Sequence, residues 1–405
     1  SPDVLRAMTE TLVHRGPDEA GFWEGEGASL GMRRLSIVDL ALGHQPVCNE
    51  DETIWAVFNG EIYNHLELRA GLERRGHRFR SDHSDSEVLV HLYEDHGPAF
   101  LDQLNGMFAI ALWDANRQEL HLARDRAGKK PLYFTWAGGH FLFGSEIKAL
   151  LRHPDVSPIP NLRALHHYFT FKNVPAPLSA FEGIEQLRPG ERAVVKRNHI
   201  QRERWWRLRF QEDPGITERE AAQHIRELLT DSVRLRMRTD VPFGAYLSGG
   251  VDSSSVVALM AHLGASRLKT FSLVYEDDFA NKTADREFAS QVSRMCNTDH
   301  YEYVMTHSDL TASTEAILAA FDEPFSGVTS TYFLTRLISQ HVRVAISGDG
   351  ADELFASYLP HRLAQPLHFL ETVGEPSAVH PTSLAPYHDE TEFLGRLLEL
   401  GDETA

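Results

Sequence analysis

Two short stretches of this chain combine glycine, serine and carboxylate in a pattern that could hold a phosphorylated ligand. The first is Ser248-Gly249-Gly250-Val251-Asp252-Ser253-Ser254; the second is Ser347-Gly348-Asp349-Gly350-Ala351-Asp352-Glu353. Small residues let backbone N–H groups approach an anion closely, and a helix N-terminus beyond them adds a favourable dipole. The first stretch does not continue into the Gly-Lys-Ser/Thr of a Walker A loop. Asp252 sits inside the first loop and Asp352 just past the second. Mg2+ takes oxygen ligands and bridges to phosphates, so two carboxylates at one phosphate-binding edge are a sufficient protein contribution. The plainer alternatives are a serine-capped glycine turn and, for Asp352, a helix N-cap. Two such loops in one segment favour the ligand-binding reading.

The surrounding elements must place these loops together. The apolar run Val241 to Leu247 reads as a buried strand, and Ser255 to Leu263 as a helix. A helix is expected from Glu218 to about Arg238, strands at Thr270 to Tyr275, His300 to Val304 and Val342 to Ile346, and helices at Ala284 to Met295, Asp309 to Phe321 and Thr331 to Gln340. This alternation predicts a doubly wound parallel sheet, whose ligands sit at the carboxyl ends of its strands. The first half reads differently. Strands are expected at Trp55 to Phe58, Phe108 to Trp113, Glu119 to Ala123 and His140 to Phe143, with helices at Pro2 to Thr11, His65 to Arg75 and Ser86 to His96. That is a mixed α+β domain with mostly antiparallel strands. Taken alone, Asn59-Gly60 is a strong hairpin signal. The basic, aromatic stretch Arg202 to Arg209 reads as a strand end at a domain junction. The expected division is a first domain over 1–196, a linker over 197–217 and a second domain over 218–405. The tail after Tyr358 carries no motif.

Composition sets the class. The chain has 405 residues, 42% hydrophobic and 24% charged, with a net charge of −18. This fits a globular protein of two or three domains and argues against a binder of nucleic-acid backbones. Two cysteines, Cys48 and Cys296, make a disulfide framework unlikely and fit a reducing cytoplasm. No Cys or His spacing resembles a zinc site, and no apolar run is long enough to span a membrane.

Further motifs occur in the first half: His14-Arg15-Gly16-Pro17-Asp18, Arg34-Leu35-Ser36-Ile37-Val38, Phe58-Asn59-Gly60-Glu61-Ile62-Tyr63-Asn64 and Ser84-Asp85-Ser86-Glu87. Arg124-Asp125-Arg126, Gly128-Lys129-Lys130-Pro131-Leu132-Tyr133 and Ser145-Glu146-Ile147-Lys148-Ala149 follow. With the two glycine loops, this series resembles the glutamine-dependent asparagine synthetases over most of residues 10 to 358. The resemblance implies an N-terminal-nucleophile glutaminase sandwich followed by an ATP-pyrophosphatase domain that splits ATP into AMP and pyrophosphate. It implies that Arg34, Leu35, Ser36, Ile37, Val38, Asn59, Gly60, Glu61 and Asp85 hold glutamine. Arg34 suits the α-carboxylate and Glu61 with Asp85 the α-ammonium. Asn59 and the Gly60 N–H suit an oxyanion formed during amide cleavage. For ATP the resemblance implies Leu247, Ser248, Gly249, Gly250, Val251, Asp252, Ser253, Ser254, Leu273, Ser347 and Gly348, with Mg2+ on Asp252 and Asp352. Asp349 stands where relatives often have glutamate, and that acid helps form the acyl-adenylate.

Two departures matter. The family's glutaminase domain begins with a catalytic cysteine, whereas this chain begins Ser1-Pro2, and Cys48 lies two residues after Pro46 in an expected loop. The family also places a lysine in a helical segment after the second glycine loop, and no lysine follows Tyr358 here. The expectation is that a first strand and a C-terminal segment are missing from this sequence. The leading reading is asparagine formation from aspartate through β-aspartyl-AMP, with ammonia from glutamine and a homodimeric assembly. A second keeps the fold but changes the acceptor carboxylate, as in a related amidotransferase or a lactam or macrolactam synthetase. A third is a non-enzymatic glutamine or nucleotide sensor.

Overall fold

The computed structural model describes residues 1–211, 213–276, 282–325, 327–355 and 357–358. Expectations for the tail beyond Tyr358 lie outside the described residues. The first domain is built on a six-stranded antiparallel sheet. Its spatial order is His199–Arg204, Glu191–Lys196, Glu119–Arg124, Gly106–Asp114, Ile54–Ile62 and Val47–Cys48. The central pair runs in long register, from Ile54 opposite Asp114 to Ile62 opposite Gly106.

Alternate side chains on a strand face opposite ways, and here the two faces have different fates. Ile54, Ala56, Phe58 and Ile62, with Phe108, Ile110 and Leu112, pack with Leu72, Val88, Leu89 and Leu92 from helices His65–Arg74 and Val88–His96. Val57, Ala109, Ala111 and Trp113 face the other way. They pack with Leu30, Leu132 and Phe134 from a second layer, made of the hairpin Glu19–Gly25/Ala28–Arg34 and the three-stranded sheet of Tyr133–Ala137, His140–Gly144 and Glu185–Gln186. Asn59 and Glu61 share the parity of Val57. The same alternation that builds the core therefore delivers them to the inner face of a sandwich.

Asn59-Gly60 is not a hairpin turn. The pair lies inside a nine-residue strand, opposite Ala109 and Phe108. Gly60 is required there because a Cβ would lie 2.0 Å from the Met107 carbonyl oxygen. Cys48 likewise sits in a strand rather than a loop. The stretch expected to start a linker at 197 instead completes a hairpin, since Glu191–Lys196 pairs with His199–Arg204. Beyond it Trp205 stacks on Phe108 at 6.1 Å and donates from Nε1 to the Arg124 carbonyl. The basic, aromatic stretch does end a strand, but Trp205 packs inside the first domain rather than across a domain junction.

The second domain opens with helix Glu218–Arg236, started by a Thr217/Glu220 capping box. Four parallel strands follow, in spatial order Asp299–Met305, Lys269–Tyr275, Phe243–Tyr246 and Val344–Ile346. The chain winds outward from Phe243–Tyr246 through two strands, then crosses to Val344–Ile346 on the other side. A doubly wound sheet leaves a crevice where the strand order reverses, and here that point lies between Phe243–Tyr246 and Val344–Ile346.

The domains meet through polar contacts. Arg238 donates to Glu67 at 2.7 and 3.0 Å and to the Tyr63 carbonyl at 2.9 Å. Asp240 accepts the Asp39 amide at 2.7 Å, and its own amide donates to the Ile37 carbonyl at 3.0 Å. Glu323 accepts from the Tyr133 hydroxyl at 2.8 Å and the Ala180 amide at 2.6 Å. Segment 35–39 is thus tied to the strand that leads to the first glycine turn.

Candidate active sites

A cavity of about 1030 Å3 opens on the inner face of the sandwich. Arg34, Leu35, Ile37, Val38, Asn59, Gly60, Glu61 and Asp85 all line it, together with Ser84, Ser86 and Lys130. Ser36 is not among the lining residues; its amide donates to Asp18 at 2.8 Å. Cys48 is also outside the lining, and burial raises its thiol pKa.

The cavity's chemistry is defined by charge without a partner. Glu61 and Asp85 are each 9% exposed. Among the described residues neither carboxylate is paired with a cation, although Asp85 accepts the Ile62 amide at 3.0 Å. Burial, and then the Asp85 charge beside it, pushes Glu61 up to about 8, against the pull of Lys130 and Arg236. Burial raises Asp85 as well, despite its amide hydrogen bond. Ionising Glu61 inside the fold costs roughly 3–5 kcal/mol relative to water, and a ligand cation would remove most of that cost. On the same strand the Asn59 Nδ2 is buried with no hydrogen-bond partner. Unsatisfied buried donors are rare and call for a reason. A donor held ready for an oxygen that gains charge during reaction is such a reason.

Arg34 carries two duties. It is 6% exposed, and its Nη2 donates to the Val38 and Asp39 carbonyls at 3.1 and 2.7 Å. It therefore shapes segment 35–39 as well as lining the cavity. The other motifs are mainly architectural. Asp125 accepts the amides of Phe108, Ala127, Lys129 and Lys130, and Arg124 donates to the Lys130, Leu187 and Gly128 carbonyls. Arg15 and His14 meet Glu146 at 2.8 and 3.0 Å. The residue that sequence reasoning left without a role is Lys130. It lines the cavity and opposes the Glu61 charge. Its motif was visible, but no periodicity says which of two adjacent lysines turns inward.

In the second domain, Ser248, Gly249 and Gly250 form the turn, while Val251, Asp252, Ser253 and Ser254 already belong to helix Val251–His262. Asp252 is therefore a first-turn helix residue rather than a loop residue. Gly249 has φ +87°, and a Cβ there would lie 2.3 Å from the Asp285 carbonyl oxygen. Ser253 Oγ pins the turn through the Ser248 amide and hydroxyl at 3.1 and 2.9 Å. Gly350, not Asp352, caps the short helix Ala351–Leu354, so the N-cap alternative for Asp352 falls.

The two turns touch. A Cβ on Gly348 would lie 2.8 Å from the Ser253 amide nitrogen and 2.9 Å from the Asp252 Cβ. Ser347 and Gly348 thus lie against the helix start that bears Asp252, at the crevice. Asp349 accepts from Ser347 Oγ at 3.1 Å. Ser254 Oγ is buried without a partner in the same first turn. Glycine backbone, an orphan hydroxyl and adjacent acids fit a nucleotide phosphate chain with Mg2+, the metal supplying charge neutralisation on the phosphates. Leu273 is half-buried, two positions beyond the last residue of its strand that pairs with Phe243–Tyr246. Leu247 is fully buried, with its N–H donated to the Phe271 carbonyl and its carbonyl accepting from Ser272 Oγ.

Comparison with known proteins agrees with both halves. The family described as "Glutamine amidotransferase domain" matches residues 1–206, and "Asparagine synthase" matches residues 224–399. Asparagine synthetase [glutamine-hydrolyzing] 1 of Bacillus subtilis is 35% identical over 89% of this chain and 56% of its own length. Asparagine synthetase [glutamine-hydrolyzing] 3 of the same organism is 35% identical over 88% of this chain and 60% of its own. Amidase chyE of Penicillium rubens is 31% identical over 95% of this chain and 59% of its own. The chain thus spans under two thirds of the length of these relatives. Among solved structures, glutamine phosphoribosylpyrophosphate amidotransferase from Bacillus subtilis matches 85% of this chain and 88% of its own, at 14% identity and a TM-score of 0.39. With a glutaminase-type sandwich, a switch-point crevice and relatives of this identity, the chain belongs to the glutamine-dependent asparagine synthetase family.

Proposed function

We propose that this chain supplies the glutamine site and the nucleotide site of an ATP-dependent, glutamine-using amide ligase. The observation that carries the reading is the Glu61–Asp85 pair beside the orphan Asn59 amide. Two buried carboxylates without a cation fit the α-ammonium of glutamine, and the Asn59 Nδ2 fits the oxyanion of amide cleavage. Arg34 takes the α-carboxylate while it holds the Val38 and Asp39 carbonyls.

A strand bearing a catalytic thiol would fit the same cavity. Strands Ala28–Arg34 and His140–Gly144 both line it, and among the described residues each pairs on one side only. A strand between them would join the second layer and bring its side chains to Asn59. In the second domain, which would receive the ammonia, Asp252 and Asp352 would hold Mg2+, which would neutralise phosphate charge; Ser248–Gly250 with Ser347 and Gly348 would hold the phosphates, and Asp349 would assist adenylation. The acceptor is aspartate, and the chain acts as a homodimer in the cytoplasm. A different carboxylate is the second reading, favoured by the likeness to a protein named as an amidase.

The test is to follow nucleotide products with ATP, Mg2+, aspartate and ammonia. AMP and pyrophosphate are expected. ADP and phosphate would refute activation by adenylation, and AMP formed with other carboxylates but not with aspartate would move the acceptor.

A further inference from the structure

On the helical side of the first domain, away from the sandwich cavity, four side chains converge. Glu50 follows strand Val47–Cys48, His77 follows helix His65–Arg74, and His91 and Glu94 stand on helix Val88–His96. One potential donor atom from each lies within 4.8 Å of every other. His77 Nδ1 is 3.4 Å from the Glu50 carboxylate and 3.8 Å from that of Glu94, and His91 Nδ1 is 3.2 Å from Glu50. The imidazole rings lie 4.9 Å apart. A tetrahedral zinc site with bonds of about 2.0–2.1 Å has donors separated by about 3.3 Å. The His91–Glu50 contact, through Oε2, is already close to that spacing, while His77 approaches the other Glu50 oxygen, Oε1.

His91 is the decisive residue. It is fully buried, and neither ring nitrogen makes a hydrogen bond. The Glu50 oxygen 3.2 Å from Nδ1 and the Glu87 oxygen 3.8 Å from Nε2 have ion-pair distance without hydrogen-bond geometry. Burying an imidazole with both nitrogens unsatisfied is costly unless a further group engages them. His77 is backed by a carboxylate, because its Nε2 lies 3.2 Å from Asp95 Oδ1, while Arg75 Nε meets the other oxygen of that carboxylate, Oδ2, at 2.9 Å. If Nε2 carries the proton, the Nδ1 lone pair faces two carboxylates. Metal-bound histidines commonly show this carboxylate behind the distal nitrogen. Glu50 is oriented too, since its Oε1 accepts the Arg78 amide at 2.8 Å and leaves Oε2 toward His91.

We propose that Glu50, His77, His91 and Glu94 form a transition-metal site of the zinc type, separate from the glutamine and nucleotide sites. Two neutral imidazoles and two carboxylates suit Zn2+ or Co2+ better than Mg2+, which favours oxygen donors. All four donors come from the protein, as in a structural site. The ion would clamp three segments together and fix both ends of the stretch from His77 to His91, on which Asp85 is carried.

The test is titration of chelator-treated protein with Co2+ and then Zn2+. One equivalent of Co2+ per chain, with the intense visible absorption of a four-coordinate ion, and its displacement by Zn2+ support the site. His77→Ala and Glu94→Gln, which leave the buried His91 in place, should lose that spectrum and weaken Co2+ binding at least tenfold. Asp252→Asn should keep it. Zn2+ should also raise the Tm of the unaltered protein, and not that of His77→Ala. Absence of stoichiometric binding, or a spectrum unchanged in His77→Ala and Glu94→Gln, overturns the proposal and leaves a histidine–carboxylate network alone.

Discussion

In the proposed function, the cavity in the sandwich and the crevice at the parallel sheet would hold their ligands by opposite means. The cavity relies on side chains. Arg34, Glu61 and Asp85 are all below 10% exposed, and a strand interior fixes Asn59 and Glu61. The crevice relies on backbone. Ser248 and Gly250 are exposed, and their turn is held by serine hydroxyls and by helix Val251–His262. A buried set of titratable groups is laid out in advance for a small zwitterion, and Glu61 ionises only when the ligand cation arrives. A glycine turn at a sheet edge offers N–H groups to any phosphate chain and costs the fold little. Selectivity in this chain therefore belongs to the sandwich, and ligand-driven ordering to the crevice.

That contrast can be broken in stages. The largest effect is expected from Glu61→Gln or Asp85→Asn. Loss of a buried charge partner costs about 3–5 kcal/mol, so glutamine affinity should fall by roughly two to three orders of magnitude by calorimetry while ATP binding is kept. The same Glu61→Gln change should raise Tm above pH 8, because it removes a charge that the fold disfavours. Unchanged glutamine affinity in both variants would end the cavity's claim to be a charge-selective site.

Asn59→Ala comes next. If its Nδ2 meets a developing oxyanion, glutaminase kcat in the full-length enzyme should fall about 100- to 1000-fold, with KM little changed. A change in KM alone would make Asn59 a ground-state contact. On the crevice side, Gly348→Ala pushes a methyl against the Ser253 amide and the Asp252 Cβ. Overpacking of about 1–3 kcal/mol should weaken nucleotide binding 5- to 100-fold, with glutamine binding as the internal control.

Stability against pH gives a separate test. Glu61 has a folded pKa near 8, above its ordinary 4.5. The folded chain therefore holds a proton that the unfolded chain has released. Its contribution to stability is full below about pH 4.5 and declines as pH rises toward 8. Thermal scans across that window should show the decline in the unaltered protein and a flatter profile in Glu61→Gln.

Much of this was legible in the sequence, for identifiable reasons. The αβ alternation after Thr217 and the two glycine stretches are local patterns, and the parallel sheet follows from them. Asn59-Gly60 misled as an isolated dipeptide, because the glycine answers to Met107 on the neighbouring strand rather than to a turn. Asp252 was placed in a loop because serine and aspartate also suit a helix's first turn. The inner-facing role of Glu61 was available from its parity with Val57. What could not be read were the long-range meetings. Glu50, His77 and His91 come from three elements, and only the His91-x-x-Glu94 step is local. The contacts of Asp240 with Ile37 and Asp39 are likewise set by docking, not by pattern.

The central claim is that Glu61 and Asp85 wait for an ammonium group. Calorimetry of L-glutamine binding at pH 7, in two buffers of different ionisation enthalpy, tests it directly. An ammonium paired with these carboxylates must ionise Glu61, so the account predicts release of close to one proton per glutamine bound. Affinity should then rise by up to tenfold per pH unit below pH 8, and Glu61→Gln should abolish the proton release. Binding that exchanges no proton, or proton release that persists in Glu61→Gln, would contradict the account.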